Sequence, residues 1–191
     1  MSDRNRLDII LINKSIGGDT LAFRDLIEFH KNVSLTLACS ILKDQNVAED
    51  AVQMAFISVY HKLHTFKQKS KFSTWLYRIV VNTSYNMLKQ QKKHIEIDTD
   101  EVLNLEFTKQ NEEDILKVTD QKKYIMIALN AIKTDEALVL RLFYLYEYKI
   151  PEIQDITGFS KSKIKVNLHR GRINFENHLQ KILGKEIKSI L

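Results

Sequence analysis

Apolar residues recur at helical spacing along most of the chain, and the interruptions between these runs are short. Residues 3–16 and 19–42 carry that spacing, with Asp19 placed after Gly17-Gly18 as an N-cap and Leu21, Phe23, Leu26, Ile27 and Phe29 as the apolar stripe. A third run follows, in which Asn46 is expected to cap and Glu49 stands three residues on, as in a capping box. Val52, Ala55, Phe56, Val59 and Leu63 then form one face. HTFKQKSK, residues 64–71, breaks the period and reads as a loop before a helix from about Ser73 to Lys92. Periodicity is weak over residues 94–120 and returns in a helix from about 113 to 131. Thr134 is then expected to cap a helix carrying Leu138, Leu142, Phe143 and Tyr146. These runs predict an all-α fold of two small helical domains, residues 1–93 and 121–191, joined by a linker at 94–120.

Near the C-terminal end, YKIPEIQDITGFSKSKIKVNLHRGR (residues 148–172) reads as helix, glycine turn, helix. Pro151 suits the first position of a helix, Gly158 ends it, and Ser160 can cap the next. Ile164 and Leu168, four apart, pack the second helix on the first. Lys161, Lys163, Lys165, Asn167, His169, Arg170 and Arg172 are left to project, and no acid occurs between Ile156 and Phe175. Lys and Arg pair with phosphates or guanine edges and Asn pairs with adenine, so this layout fits a recognition helix for the DNA major groove. The plainer alternative is a helix hairpin with a solvated basic face.

The helix starting near Ser73 has two faces at about 100° per residue. Trp75, Arg78, Asn82, Asn86, Lys89 and Lys93 fall on one, while Leu76, Val80, Thr83 and Met87 fall on the other. Spacing alone leaves two places for Trp75, the only tryptophan. It is either presented as a stacking platform beside Arg and Asn, or folded with Phe72 under the preceding loop.

Charge sharpens this picture. Residues 1–93 hold 14 Lys and Arg against 8 Asp and Glu, residues 94–120 hold 2 against 9, and residues 121–191 hold 13 against 7. Two basic blocks therefore flank an acidic one, the distribution expected of a polyanion-binding protein or of a solvated surface with a charged spacer. Five glycines and one proline in 191 residues favour long helices over tight turns. The single cysteine, Cys39, sits in an apolar run and reads as a buried thiol. The N-terminal apolar run is too short for a signal peptide or membrane span, and a cytoplasmic protein without membrane insertion is expected. His30, His61, His64, His94, His169 and His178 show no metal-ligand spacing. No phosphate loop, activated nucleophile or acid pair is present, so neither cofactor, metal nor catalysis is expected.

AEDAVQMAFISVYHKLHTF followed by FSTWLYRIVVNTSYNMLKQQKK resembles region two of bacterial sigma factors of the extracytoplasmic-function (ECF) group, and KIPEIQDITGFSKSKIKVNLHRGRINFENHL resembles their region four. GGDTLAFRDLIEFH also fits the group's first helices, and the segments occur in the family's order. The resemblance implies a non-catalytic promoter-specificity subunit of RNA polymerase. Glu49, Asp50 and Gln53 match the segment that meets the clamp helices of the largest polymerase subunit, with the flap as a further polymerase contact. Phe56 belongs to the same segment but lies on the apolar stripe and is expected in the core. His64, Phe66 and Lys69 match the loop that holds a flipped base of the −10 element. Trp75, Arg78, Asn82, Asn86 and Lys89 match the segment that reads and opens that element. Ser160, Lys161, Lys163, Lys165, Asn167, His169, Arg170 and Arg172 match the reader of the duplex −35 element. The implied partners are core polymerase, promoter DNA in duplex and single-stranded form, and an anti-sigma factor. The acidic segment would thread the polymerase's RNA channel.

The chain departs from the family pattern in places. Asn86 stands where Asp is common, and the basic tail is KQQKK instead of arginine-rich. Val166 and Asn167 stand where Ser and Arg are common, so the promoter sequence does not carry over from a relative. An ordinary helix-turn-helix repressor or activator is the competing reading, although a duplex-only reader has no use for a strand-opening surface.

Overall fold

The computed structural model describes residues 3–98 and 120–184. Among them every element is helical: α1 (Asp3–Ile16), α2 (Thr20–Leu42), α3 (Gln45–Lys62), α4 (Phe72–Asp98), α5 (Asp120–Ala131), α6 (Thr134–Leu140), α7 (Ile150–Thr157) and α8 (Lys161–Leu183). A 3-10 turn, Leu63–Thr65, follows α3, and a π-helical turn, Arg141–Leu145, extends α6. Most of the acidic segment, and the start of the helix expected from about residue 113, lie outside the described residues. The backbone of α4 stays helical to Asp98, past the end expected near Lys92.

α1–α4 belong to one compact unit, and α5, α6 and α8 to another. In the first, α2, α3 and α4 pack against one another pairwise, and α1 lies along α2. Leu26, Leu37 and Ile41 of α2, Val52 and Val59 of α3, and Leu76, Val80 and Val81 of α4 fill the core. Burying each such side chain contributes roughly 1.5–3 kcal/mol. Ala48, Ala51 and Ala55 are also buried, and their small size lets α3 approach its neighbours closely. The buried sector of α2 centres on Leu26, His30, Ser34, Leu37 and Ile41. Leu21 lies on the opposite azimuth and is exposed, contrary to the expected stripe. Phe29 lies at the sector's margin and is exposed too, where it seats the Arg4 guanidinium 4.3 Å from its ring centroid. Phe56 is half-buried, and so is Cys39, which was expected to be buried.

The caps follow local chemistry. Asp19 accepts from the Ala22 N–H at 3.0 Å, as expected. α3 is capped by Asp44 instead of Asn46, with the Val47 N–H donating to its carboxylate at 2.9 Å. Lys43 closes α2 in the left-handed region (φ 60°), donating its N–H to the Cys39 carbonyl. The turn is therefore complete two residues before Asn46, which is already helical. Thr134 likewise lies inside α6. Lys133 holds the N-cap position without a side-chain bond, and Asp135 and Glu136 place acid in the first turn.

In the second unit α8 packs chiefly along α5 and α6, where the sequence had pointed to the preceding helix of the pair as its support. The approach is closest at Gly171, where an added Cβ would stand 3.1 Å from Leu140 Cδ1 and 3.2 Å from Glu136 Cβ. Asn174 Nδ2 donates to the buried Glu136 carboxylate at 2.7 Å, and the buried Arg141 donates to Asn130 Oδ1 at 2.8 Å. These bonds tie α6 to α8 and the π-helical turn to α5. Gly171→Val drives a branched side chain into Leu140 and Glu136, and urea unfolding is expected to show a loss of about 1–3 kcal/mol.

Candidate nucleic-acid interface

Leu63 is buried at the start of the segment between α3 and α4, and Phe66 anchors its middle. Phe66 is half-buried and meets Phe72 (ring centroids 5.7 Å apart) and Trp75 (5.3 Å), while Phe72 and Trp75 lie 5.9 Å apart. Phe72 is fully buried, whereas Trp75 keeps part of its indole at the surface. The two places that spacing allowed Trp75 thus coincide: it packs with Phe72 and Phe66 under the loop and still faces outward. His64 and Lys69, together with Lys67 and Lys71, stand exposed around the trio. Gln68, with φ 54°, turns the loop.

The polar face of α4 continues from there. Arg78, Asn82, Asn86 and Lys89 are all exposed, spaced three or four residues apart along one side. Leu76, Val80 and Ser84 on the other side are buried, and Thr83 and Met87 are half-buried. An aromatic platform, an amide ladder and cations therefore share one surface, a combination suited to unstacked bases and their phosphates.

On α3, Glu49, Asp50 and Gln53 are exposed, and Glu49 also accepts from Gln45 Nε2 at 3.1 Å. The same side carries Met54, Ile57 and Tyr60, all exposed, with Tyr60 set edge-on to Phe23 at 4.9 Å. Sequence reasoning missed these apolar residues because it sought charge at the helix start. Their signal was the spacing 50, 53/54, 57, 60, which falls off the buried stripe of α3.

In the helix pair, the Lys149 N–H donates to Glu152 Oε2 at 2.9 Å, which places Pro151 one position further into the first turn than expected. Gly158 turns the chain with φ +71°, a conformation that favours glycine. Ser160 Oγ accepts from the Lys163 N–H, so this predicted contact residue caps α8. Lys161, Lys165, His169 and Arg170 are exposed. Asn167 is half-buried, and its Nδ2 has no hydrogen-bond partner. Arg172 donates to the Leu168 carbonyl at 3.2 Å and to Tyr144 Oη at 3.4 Å. Lys163 is engaged twice, with Nζ 2.8 Å from Asp135 Oδ2 and 3.6 Å from the Phe159 ring centroid. These predicted contacts therefore divide into open cations and cations already held within the unit.

Among the described residues no group of His, Cys, Asp or Glu is arranged to hold a metal, and no helix is long and apolar enough to cross a membrane. The sigma-70 region 2 family model matches residues 26–94 and the sigma-70 region 4 model matches residues 122–174. The ECF RNA polymerase sigma factor SigW of Bacillus subtilis is 27% identical over 177 residues, covering 81% of this chain and 87% of that protein. RNA polymerase sigma factor SigV of the same organism is 30% identical over 141 residues, covering 74% and 81%. The fold resembles that of the sigma factor RpoE, solved in complex with the anti-sigma factor NepR from Bartonella quintana. The TM-score is 0.64 at 22% identity, over 84% of this chain and 96% of that one. The chain thus belongs to the sigma-70 family of RNA polymerase sigma factors, in its ECF group.

Proposed function

We propose that this sigma factor binds core RNA polymerase, brings it to promoters with separate −10 and −35 elements, and opens the −10 element, acting in the cytoplasm and without catalysis of its own. The observation that carries this reading is the surface of α4, where the half-exposed Trp75 leads into Arg78, Asn82, Asn86 and Lys89. Flipping a base out of duplex DNA costs a few kcal/mol of lost stacking, and a ring platform beside amides and cations offsets that cost. A reader of closed duplex alone has no use for such a surface, which disfavours the repressor or activator alternative.

Core polymerase docks on the exposed side of α3, where Glu49, Asp50 and Gln53 supply acid and amide and Met54, Ile57 and Tyr60 supply apolar area. An acidic helix start with an apolar continuation fits the clamp helices of the largest subunit, with the flap engaging the second unit. The −35 element is met by α8, with Lys161, Lys165, His169 and Arg170 against phosphates and base edges. An anti-sigma factor completes the set of partners, in line with the complex in which RpoE was solved.

Three outcomes test this assignment. Trp75→Ala is expected to leave core-polymerase affinity intact while permanganate reactivity of opened promoter thymines falls; reactivity equal to the parent's would remove Trp75 from the opening step. Ile57→Glu places a charge amid the apolar part of the α3 face, and core affinity measured by titration is expected to drop about tenfold, roughly 1.4 kcal/mol. In −35 duplex binding, Lys165→Ala and Arg170→Ala are each expected to reduce the slope of log K against log salt by about 0.9. Lys163→Ala, by contrast, is expected to change it little. Asp135 already neutralises Lys163, although the side chains remain 46% and 34% exposed and the pair is screened by solvent.

A further inference from the structure

Behind the aromatic trio lies a polar cluster to which no role has yet fallen. Asp8 of α1, His30 of α2 and Tyr77 of α4 are 3%, 4% and 4% exposed. His30 Nε2 stands 3.1 Å from Asp8 Oδ1, and His30 Nδ1 stands 3.1 Å from Tyr77 Oη. Both ring nitrogens are therefore engaged. The carboxylate accepts, so Nε2 donates to it, and Nδ1 is left to pair with the tyrosine hydroxyl. The ring is held from both sides, which makes the cluster a pin.

The pinned ring does not stop at its hydrogen bonds. His30 sits edge-on to Phe72, with centroids 5.4 Å apart and planes at 66°. Phe72 in turn touches Phe66 and Trp75. Contacts thus run without a gap from a carboxylate on α1 to the half-exposed indole. Apolar side chains of similar volume would fill this space with less desolvation cost, but they would not fix the rotation of the ring that Phe72 leans on. Two opposed hydrogen bonds do fix it.

We propose that Asp8 and His30 are positioning residues for the −10 surface: they set the orientation of Phe72 and, through it, of the Phe66–Trp75 platform that receives an unstacked base. The inference rests on the reading of Trp75 given above. It gives α1 a task in promoter opening although the proposed −10 surface belongs to α4 and the loop before it.

Because Trp75 is the only tryptophan, its fluorescence reports the platform directly in the full-length protein. Asp8→Asn keeps an acceptor oxygen for His30 Nε2, whereas Asp8→Leu removes it. Asp8→Leu is expected to shift Trp75 emission and raise its quenching by acrylamide. In holoenzyme it is expected to lower permanganate reactivity of the open promoter about tenfold, the scale of a small misplacement at a functional site, with core-polymerase affinity unchanged. Asp8→Asn is expected to restore both readouts to the parent's values. Should Asp8→Leu not fold, the double variant Asp8→Leu/His30→Phe removes the buried charge with its partner, keeps a ring against Phe72, and is read in the same way. Parental emission and quenching in the folded variant would overturn the proposal with no DNA or polymerase in the assay. A shifted signal with undiminished opening would overturn it as well. Normal opening by Trp75→Ala is the separate result that removes Trp75 from the opening step, and the positioning role with it.

Discussion

Leu76, Val80, Val81 and Ser84 of α4 are buried where that helix packs between α2 and α3, and this burial fixes the rotation of α4 about its own axis. Once that azimuth is set, the helical repeat dictates the rest. Arg78, Asn82, Asn86 and Lys89 must face outward, and Trp75 must sit where the loop after α3 returns to the helix. Turning α4 by one residue position, about 100°, would take the amides and cations off the surface. The polar surface of α4 is thus a consequence of core packing.

The second unit solves a related problem differently. α8 has to pack along α5 and α6 and also present cations, and Gly171 is where the first demand is strictest. The absence of a side chain there brings α8 against Leu140 and Glu136, and Asn174 then bonds the Glu136 carboxylate. At its other end Ser160 caps α8, and Lys163 is spent on Asp135 and Phe159. The helix start is therefore held by a serine and a lysine that also belong to the basic face. The open charge of α8 is smaller than its sequence suggests, because Lys163 is already paired with Asp135.

Much of this was legible in the sequence wherever the signal is local. Helix periodicity located α1–α4 and α6–α8, and Asp19, Gly158 and Ser160 act as their residue types predict. The two-faced character of α4 followed from spacing alone. Failures arose where neighbouring backbone geometry or tertiary contacts override a residue's own preference. Asn46 has good capping chemistry, but Lys43 takes the left-handed conformation and hands the cap to Asp44. Leu21 is apolar yet lies off the sector that α2 buries. Lys163 looks like its neighbours until Asp135, 28 positions earlier, is placed beside it. The Asp8–His30–Tyr77 cluster was out of reach, since its members are 22 and 47 residues apart and meet only through the packing of α1, α2 and α4.

The central claim is that these surfaces act together to direct core polymerase to particular promoters. It is tested most directly by transcription in vitro, with purified core polymerase and this protein on a library of randomised promoters. The account predicts initiation that depends on the protein and is confined to templates sharing two separated sequence elements. Transcription that is no greater than with core polymerase alone, across the whole library, would contradict it.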